Sequence, residues 1–351
     1  MTTLRKRTGL AVGLAALAFA LASCVSDSPQ DSLDPHGPYA EKIDVLFRPV
    51  AAVAIAVFLL VEGGIFYLLW RYRHHKGREQ VPPQIHGNTR MEIAWTIVPF
   101  LILTGVAVPT VATIFDLAAR PTGNVLNVTV EGHQWWWGFK YTDPDMQLGD
   151  GKPLGTANIL VIPTGRPVYV SLESVGELIG DKTVIHSFWV PELAGKQDVV
   201  PNQTNHLTLE ADTPGTYYGQ CLEFCGLSHA NMKFRVIAMA PADFDAWVTG
   251  QKEDQAVPTG GMQASGFDLF SKTCIACHTV RGAAPGGAAA PDLTHFASRE
   301  CLAGCMVENT EENLVAWLRD PPARKPGSFM PDYNLTDGQI DALVAYLETL
   351  H

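Results

Sequence analysis

Two apolar stretches near the start of the chain, residues 49–70 and 93–115, set the first limit on its architecture. Each has about the 20 residues that an α-helix needs to cross a bilayer. Arg71, Arg73, Lys76, Arg78 and Arg90 lie between them, and the bias of cytoplasmic loops toward Lys and Arg keeps this connection inside. The pair reads as a transmembrane hairpin with both ends outside the cytoplasm. Ahead of it, Arg5, Lys6 and Arg7 precede an apolar run over 10–21, the pattern of an export signal covering residues 1–23. Glu62 falls inside the first span, where a carboxylate is costly and turns toward protein or water.

The remainder of the 351 residues reads as two further domains. From Asn124 the pattern changes to short β-rich segments punctuated by Gly and Pro, at 125–131, 159–163, 168–173, 206–210 and 234–238. Alternation at that spacing predicts an antiparallel sandwich or barrel. A polar segment rich in Gly and Pro follows, near 251–265, and reads as a linker. Beyond it lies a small domain whose segments 311–320 and 336–350 look helical, the second opening on the capping box Thr336-Asp337-Gly338-Gln339.

Chemistry concentrates in two places. Cys221, Cys225, His229 and Met232 fall within one short loop, and such a soft set of sulfur and nitrogen donors suits copper rather than magnesium or calcium. A second imidazole is needed to complete a site for two coppers, and His186 is the outstanding choice. A Cys221–Cys225 disulfide is the bland alternative in an oxidising compartment, but it explains neither His229 nor Met232. The second place is Cys274-Ile-Ala-Cys277-His278, a C-x-x-C-H string that reads as covalent haem c attachment with His278 as the proximal iron ligand. Met330, ahead of Pro331 and the terminal helix, is the choice for the distal ligand, with Met306 as its competitor.

The formal net charge of −11 and the lack of a basic stripe exclude a nucleic-acid partner. An acidic exterior suits a basic redox partner instead. Cys301 and Cys305 are predicted to pair, with a copper(I)-handling pair beside Met306 as the alternative, and a bond at that spacing requires that the segment not be a regular helix. Side chains four apart on a helix stand about 5–6 Å apart at Cβ, whereas a bridge wants about 3.8 Å.

The loop 221–232 resembles, position for position, the binuclear copper A loop of cytochrome c oxidase subunit II. The resemblance implies two coppers held by His186, Cys221, the carbonyl of Glu223, Cys225, His229 and Met232, and a carboxylate of Glu223 shared with a magnesium ion at the catalytic subunit. The aromatic run His133-Gln134-Trp135-Trp136-Trp137 is similar to the segment over copper in that family, which makes Trp135 the residue through which electrons arrive. Glu92 is similar to the family's glutamate at the mouth of a proton-uptake channel. His133 and His206 show no obvious mates and read as structural. Leu21-Ala22-Ser23-Cys24 resembles a bacterial lipoprotein box and makes Cys24 a lipidated first residue.

What the resemblance implies overall is a multidomain membrane protein of caa3 type: a two-helix transmembrane hairpin, an all-β cupredoxin-like Greek-key barrel, then an all-α class I cytochrome c domain. The expected divisions are 1–23 signal peptide, 24–48 periplasmic segment, 49–118 hairpin, 119–245 copper A domain, 246–264 linker and 265–351 cytochrome c domain. Partners would be oxidase subunits I and III, with a soluble cytochrome c or a quinol–cytochrome c reductase as donor. Oxygen reduction would occur in subunit I. The same motifs could serve the copper A subunit of a nitric oxide reductase, or a membrane-tethered copper and haem relay without catalysis.

Overall fold

The computed structural model describes residues 28–73, 84, 86–176 and 183–351. The export signal, Cys24, Lys76 and Arg78 lie outside the described residues.

Two long helices come first, α1 at Pro38–Tyr72 and α2 at Thr89–Ala118. The 35 residues of α1 reach about 52 Å at 1.5 Å per residue, well beyond a hydrocarbon layer of about 30 Å. The helix therefore begins at Pro38 rather than at 49, and the added turns have a separate task. They carry Glu41, Lys42, Asp44 and Arg48, and they bury Ala40 and Asp44 against the following domain. Arg48 binds Asp44 at 2.6 Å, and Lys42 binds Asp116 of α2 at 2.6 Å, tying the hairpin together at its outer end. The apolar stretches of both helices are exposed along their length, as lipid-facing segments are. Asn88 caps α2, its side-chain oxygen accepting from the backbone N–H groups of Arg90 and Met91.

The β domain holds two five-stranded sheets. The first runs β3 (Leu154–Ala157), β2 (Trp136–Tyr141), β1 (Leu126–His133), β5 (Val168–Ser174) and β8 (Asn205–Leu209). The second runs β4 (Ile159–Pro163), β10 (Lys233–Met239), β9 (Gly215–Cys221), β6 (His186–Trp189) and β7 (Lys196–Val199). The expected antiparallel pattern holds for most neighbours, but β1 pairs parallel with β5 and β10 parallel with β4. In both parallel pairs the chain visits the other sheet between the two strands.

Alternation does place the core. Leu126, Val128 and Val130 of β1 and Val168, Val170 and Leu172 of β5 all point inward. Between the sheets Phe234 stacks on Phe188 with ring centroids 4.5 Å apart and meets Trp137 edge-on at 5.5 Å. Phe234 lies opposite Gly219 on β9, where a Cβ would run into its ring.

Helix α3 (Pro241–Gln251) packs Phe244 and Trp247 under the barrel, with Trp247 against Tyr141 at 5.6 Å. The predicted linker over 246–264 is therefore shorter, 252–260, because its first residues continue a helix whose apolar face is buried. The C-terminal domain contains α4 (Gly261–Thr273), α5 (Glu311–Arg319), α6 (Pro321–Arg324) and α7 (Asp337–Leu347). Thr336 and Gln339 form the expected capping box.

Cys301 and Cys305 are bonded, with Cα atoms 4.8 Å apart. They close a tight turn in which Ala303, Gly304 and Cys305 all take left-handed backbone angles, so the segment is not helical. Arg235 of β10 reaches from the β domain to Glu300 at 2.7 Å and to Glu308 on either side of this turn.

Removal of the Phe234 ring should destabilise the β domain by about 3–5 kcal/mol, the usual range for a fully buried aromatic. Chemical unfolding followed by tryptophan fluorescence measures it. A Phe234→Ala loss under about 1 kcal/mol would show that the aromatic cluster is not what holds the sheets together.

Candidate metal centres

The first centre sits where β9 ends and β10 begins. Backbone pairing sets Phe188 of β6 opposite Cys221 of β9, and this register brings His186, at the start of β6, beside the loop. The loop closes on itself through the Cys221 N–H, which donates to the Met232 carbonyl at 3.0 Å. Inside it the Cys221 and Cys225 sulfurs are 3.8 Å apart, unbonded and buried, so the disulfide alternative does not hold.

Around that pair the other donors converge. His186 Nδ1 lies 3.9 Å from the Cys221 sulfur, His229 Nδ1 3.6 Å from the Cys225 sulfur, and Met232 Sδ 3.8 Å from the Cys225 sulfur. The carbonyl of Glu223 turns inward, 3.3 Å from the Cys221 sulfur, while its carboxylate curls outward to accept the Phe224 N–H. His186, Cys221 and Cys225 place their donor atoms within 4.8 Å of one another. This buried thiolate, imidazole and thioether set fits soft metal such as copper.

The two thiols share a proton. The contact with Cys225 draws Cys221 below the ordinary thiol value, with the His186 ring adding to the effect against burial. The same contact, with burial, pushes Cys225 up. Metal binding must displace the thiol protons, because the thiolate is the ligand.

The second centre lies in the C-terminal domain. Cys274 ends α4 and the chain makes one more helical turn, the His278 N–H donating to the Cys274 carbonyl at 3.0 Å. The Gly-rich stretch after it lies against that turn, where a Cβ at Gly286 or Gly287 would strike backbone atoms of residues 275–278. Both cysteines are free thiols, and burial pushes Cys274 up to about 11. His278 Nδ1 donates to the Pro291 carbonyl at 2.8 Å, which leaves Nε2 as the nitrogen with a lone pair, the arrangement a metal-binding imidazole needs. Burial lowers the His278 pKa and keeps the ring neutral.

Cys274, Cys277, His278 and Met330 all line one largely apolar cavity of about 220 Å³. Met306, beside the disulfide, is not among its walls. The attachment thiols, a tautomer-fixed imidazole and a thioether around one apolar cavity fit a covalently held haem.

The two centres meet at Trp135, which also lines that cavity. Its indole N–H donates to the Cys225 carbonyl at 3.1 Å, and its ring lies 6.3 Å from that of Phe329, the neighbour of Met330. Only 6% of Trp135 is exposed, so the C-terminal domain covers the residue predicted to receive electrons. Gly226 of the copper loop has a left-handed φ of 122°, and a Cβ there would come within 2.8 Å of the indole.

Other predicted residues stand apart from both centres. Glu92 lies in the first turn of α2, as expected of a helix N-terminal carboxylate. His133, expected to be without mates, stacks on Trp136 at 3.9 Å and lies 3.8 Å from Glu131. His206 stacks on Tyr169 at 5.0 Å.

Sequence reasoning missed Lys325, whose Nζ donates to the carbonyls of Trp135 and Ala303 at 2.6 and 2.7 Å. In sequence it is one more lysine before a Pro-Gly turn. It is 4% exposed, and burial pushes its pKa down to about 7 from 10.5. Between those values the unfolded chain holds a proton that the folded chain lacks, so this group makes stability rise with pH. As a neutral amine it still has an N–H for each carbonyl. The stability of the parent relative to a Lys325→Met variant should therefore increase from about pH 7 to pH 10, measured as a difference in unfolding midpoints. A flat difference would mean that Lys325 keeps its ordinary pKa.

Three family profiles match the chain. They are the transmembrane domain of cytochrome c oxidase subunit II over residues 30–113, its periplasmic domain over 126–239, and cytochrome c over 263–351. Among curated proteins, the chain is 39% identical over 345 residues to cytochrome c oxidase subunit 2 of Alkalihalophilus pseudofirmus, covering 96% of this chain and 95% of that one. It is 38% identical to the subunit 2 of Bacillus sp. PS3 over 80% of each chain, and 31% identical to that of Bacillus subtilis over 91% of each.

Proposed function

Because the chain belongs to the cytochrome c oxidase subunit II family and carries a cytochrome c domain at its C-terminal end, we propose that it is the electron-accepting subunit of a caa3-type terminal oxidase. It works in the bacterial membrane, with the copper and cytochrome domains on the outer side of the two apolar helices. In this reading Cys274, Cys277, His278 and Met330 hold haem c. His186, Cys221, the Glu223 carbonyl, Cys225, His229 and Met232 hold a pair of coppers. When bound, these groups would supply one-electron carriers at the two sites.

The observation that carries the reading is the placement of Trp135 between the two ligand sets. Its indole N–H contacts the main chain of one copper ligand, and its ring faces the residue beside a haem ligand. The chain's own residues bind and orient the carriers, exclude water from the thiol pair and keep the two sites in contact. Oxygen reduction belongs to the partner subunit I, which receives electrons from this chain. Subunit III completes the assembly, and a quinol–cytochrome c reductase or soluble cytochrome c supplies electrons at the haem domain. The Glu223 carboxylate, turned out of the copper loop, is free to share a magnesium ion with subunit I.

Optical and electron paramagnetic resonance spectra of the purified protein, loaded with copper and haem, test this directly. A multiline copper signal from one electron shared by two metals is expected, beside a low-spin c-type haem spectrum. Cys225→Ser should abolish the shared-electron signal and leave the haem spectrum intact. A single-copper signal in the parent would refute the binuclear assignment.

For Glu92 the proposed role is at the mouth of a proton-uptake path, since it stands at the inner end of α2. Glu92→Gln in the assembled oxidase should lower turnover and proton translocation, followed as oxygen consumption and external pH change. Unchanged values in both would remove that role.

A further inference from the structure

Trp135 is gripped from both domains. On one side is Gly226 of the copper loop; on the other is Gly327, at a φ of 83°, where a Cβ would come within 2.6 Å of the indole ring. The indole N–H is committed to the Cys225 carbonyl. The Trp135 main-chain carbonyl is held by Lys325, which comes from the loop that carries Phe329 and Met330.

An amine buried to 4% exposure needs partners in place of its lost hydration. No carboxylate forms an ion pair with Lys325 among the described residues, so its head group is spent on two main-chain carbonyls, Trp135 and Ala303. Ala303 lies in the turn closed by Cys301 and Cys305, and the next carbonyl in that turn, Gly304, accepts from the Lys233 N–H at 3.0 Å. Lys233 directly follows the ligand Met232. One side chain thus joins the strand end bearing Trp135, the bridged turn and the haem loop. Trp135, Ala303 and Lys325 all line the cavity themselves.

We propose that Lys325 is a positioning residue for electron transfer between the two centres, acting through the Trp135 carbonyl to hold the indole between the haem loop and Cys225. This rests on the electron-transfer reading above. A general docking contact would behave otherwise. Arg235 ties the same two domains through Glu300 and Glu308 without touching Trp135, and it provides the comparison.

The test uses the assembled oxidase with Lys325→Met, which keeps the aliphatic stem and loses the donors, and with a Glu300→Gln/Glu308→Gln double variant. Lys325→Gln is the alternative where Lys325→Met does not assemble. The rate of electron transfer from photoreduced haem to copper is measured, with the optical and paramagnetic spectra of both centres and backbone hydrogen exchange over residues 134–137.

In Lys325→Met the rate should fall about tenfold or more, within the hundredfold that a misplacement of about 1 Å can cost. Both spectra should stay unchanged, and exchange over 134–137 should quicken. The double variant should remain within about twofold of the parent, as a change away from the contact does. A Lys325→Met rate within twofold of the parent, or an equal loss in both variants, overturns the proposal. A parent protein that shows both spectra but no transfer between them refutes the functional reading first, and this inference with it.

Discussion

One backbone register underlies the copper end of the molecule, the pairing of β6 with β9 that sets Phe188 opposite Cys221. A slip of one residue would turn every side chain of β6 to the other face, and His186 would leave the sulfur pair. The Leu222 N–H extends the ladder by donating to the Ser187 carbonyl at 3.1 Å. Gly132 lies beneath His186, where a Cβ would come within 2.9 Å of the ring. Phe188, two residues on, is part of the aromatic core with Phe234 and Trp137. The metal-binding end is therefore not a loop laid on a scaffold. It is the continuation of the packed core, and a close-packed core resists displacement. A redox centre gains from that, because ligands that barely move add little reorganisation to each electron transferred.

The second constraint is the close approach of the two domains around Trp135. Gly226 and Gly327 come from different domains and leave room for the same ring. Ser228 adds a hydrogen bond across the boundary, donating to the Pro326 carbonyl at 2.6 Å. The linker is itself fixed rather than loose. Arg281 of the cytochrome domain donates to the carbonyls of Gln251, Lys252 and Glu253 at the end of α3, and His295 lies 3.2 Å from that of Gln251. A guanidinium at a helix C-terminus is favoured by the helix dipole, so the clamp also stabilises the helix that it grips.

Much of this was legible in the sequence where the signal is local. The copper loop without His186, and the C-x-x-C-H string without Met330, each place their donors within one turn or loop, so spacing alone brings those side chains together. The capping box at Thr336 and the non-helical geometry of 301–305 follow from short-range stereochemistry in the same way. The haem cavity, by contrast, includes Trp135 and Trp136 from the β domain, and no pattern within either segment announces that contact. The helix that carries the first span runs outward past it to Pro38 through polar turns. They were legible as non-membrane but not as helix, since docking against the β domain is what stabilises them. The parallel pairs β1–β5 and β4–β10 were invisible for a related reason, as period-two alternation reports which face is buried and not which strand lies beside it. Lys325 is the extreme case, a charged residue whose burial depends on carbonyls 22 and 190 positions away.

Fusion changes what an electron donor must do. A separate cytochrome pays for lost translational and rotational freedom each time it docks. A tethered domain is held instead at an effective concentration in the millimolar range. The nine residues 252–260 between α3 and α4 could span at most about 30 Å when extended, and the clamp at Arg281 shortens that reach. The face of the copper domain around Trp135 is already occupied, with the tryptophan almost wholly buried. A second protein therefore has no room on that face. In this architecture the contact between the two centres is fixed by the chain itself.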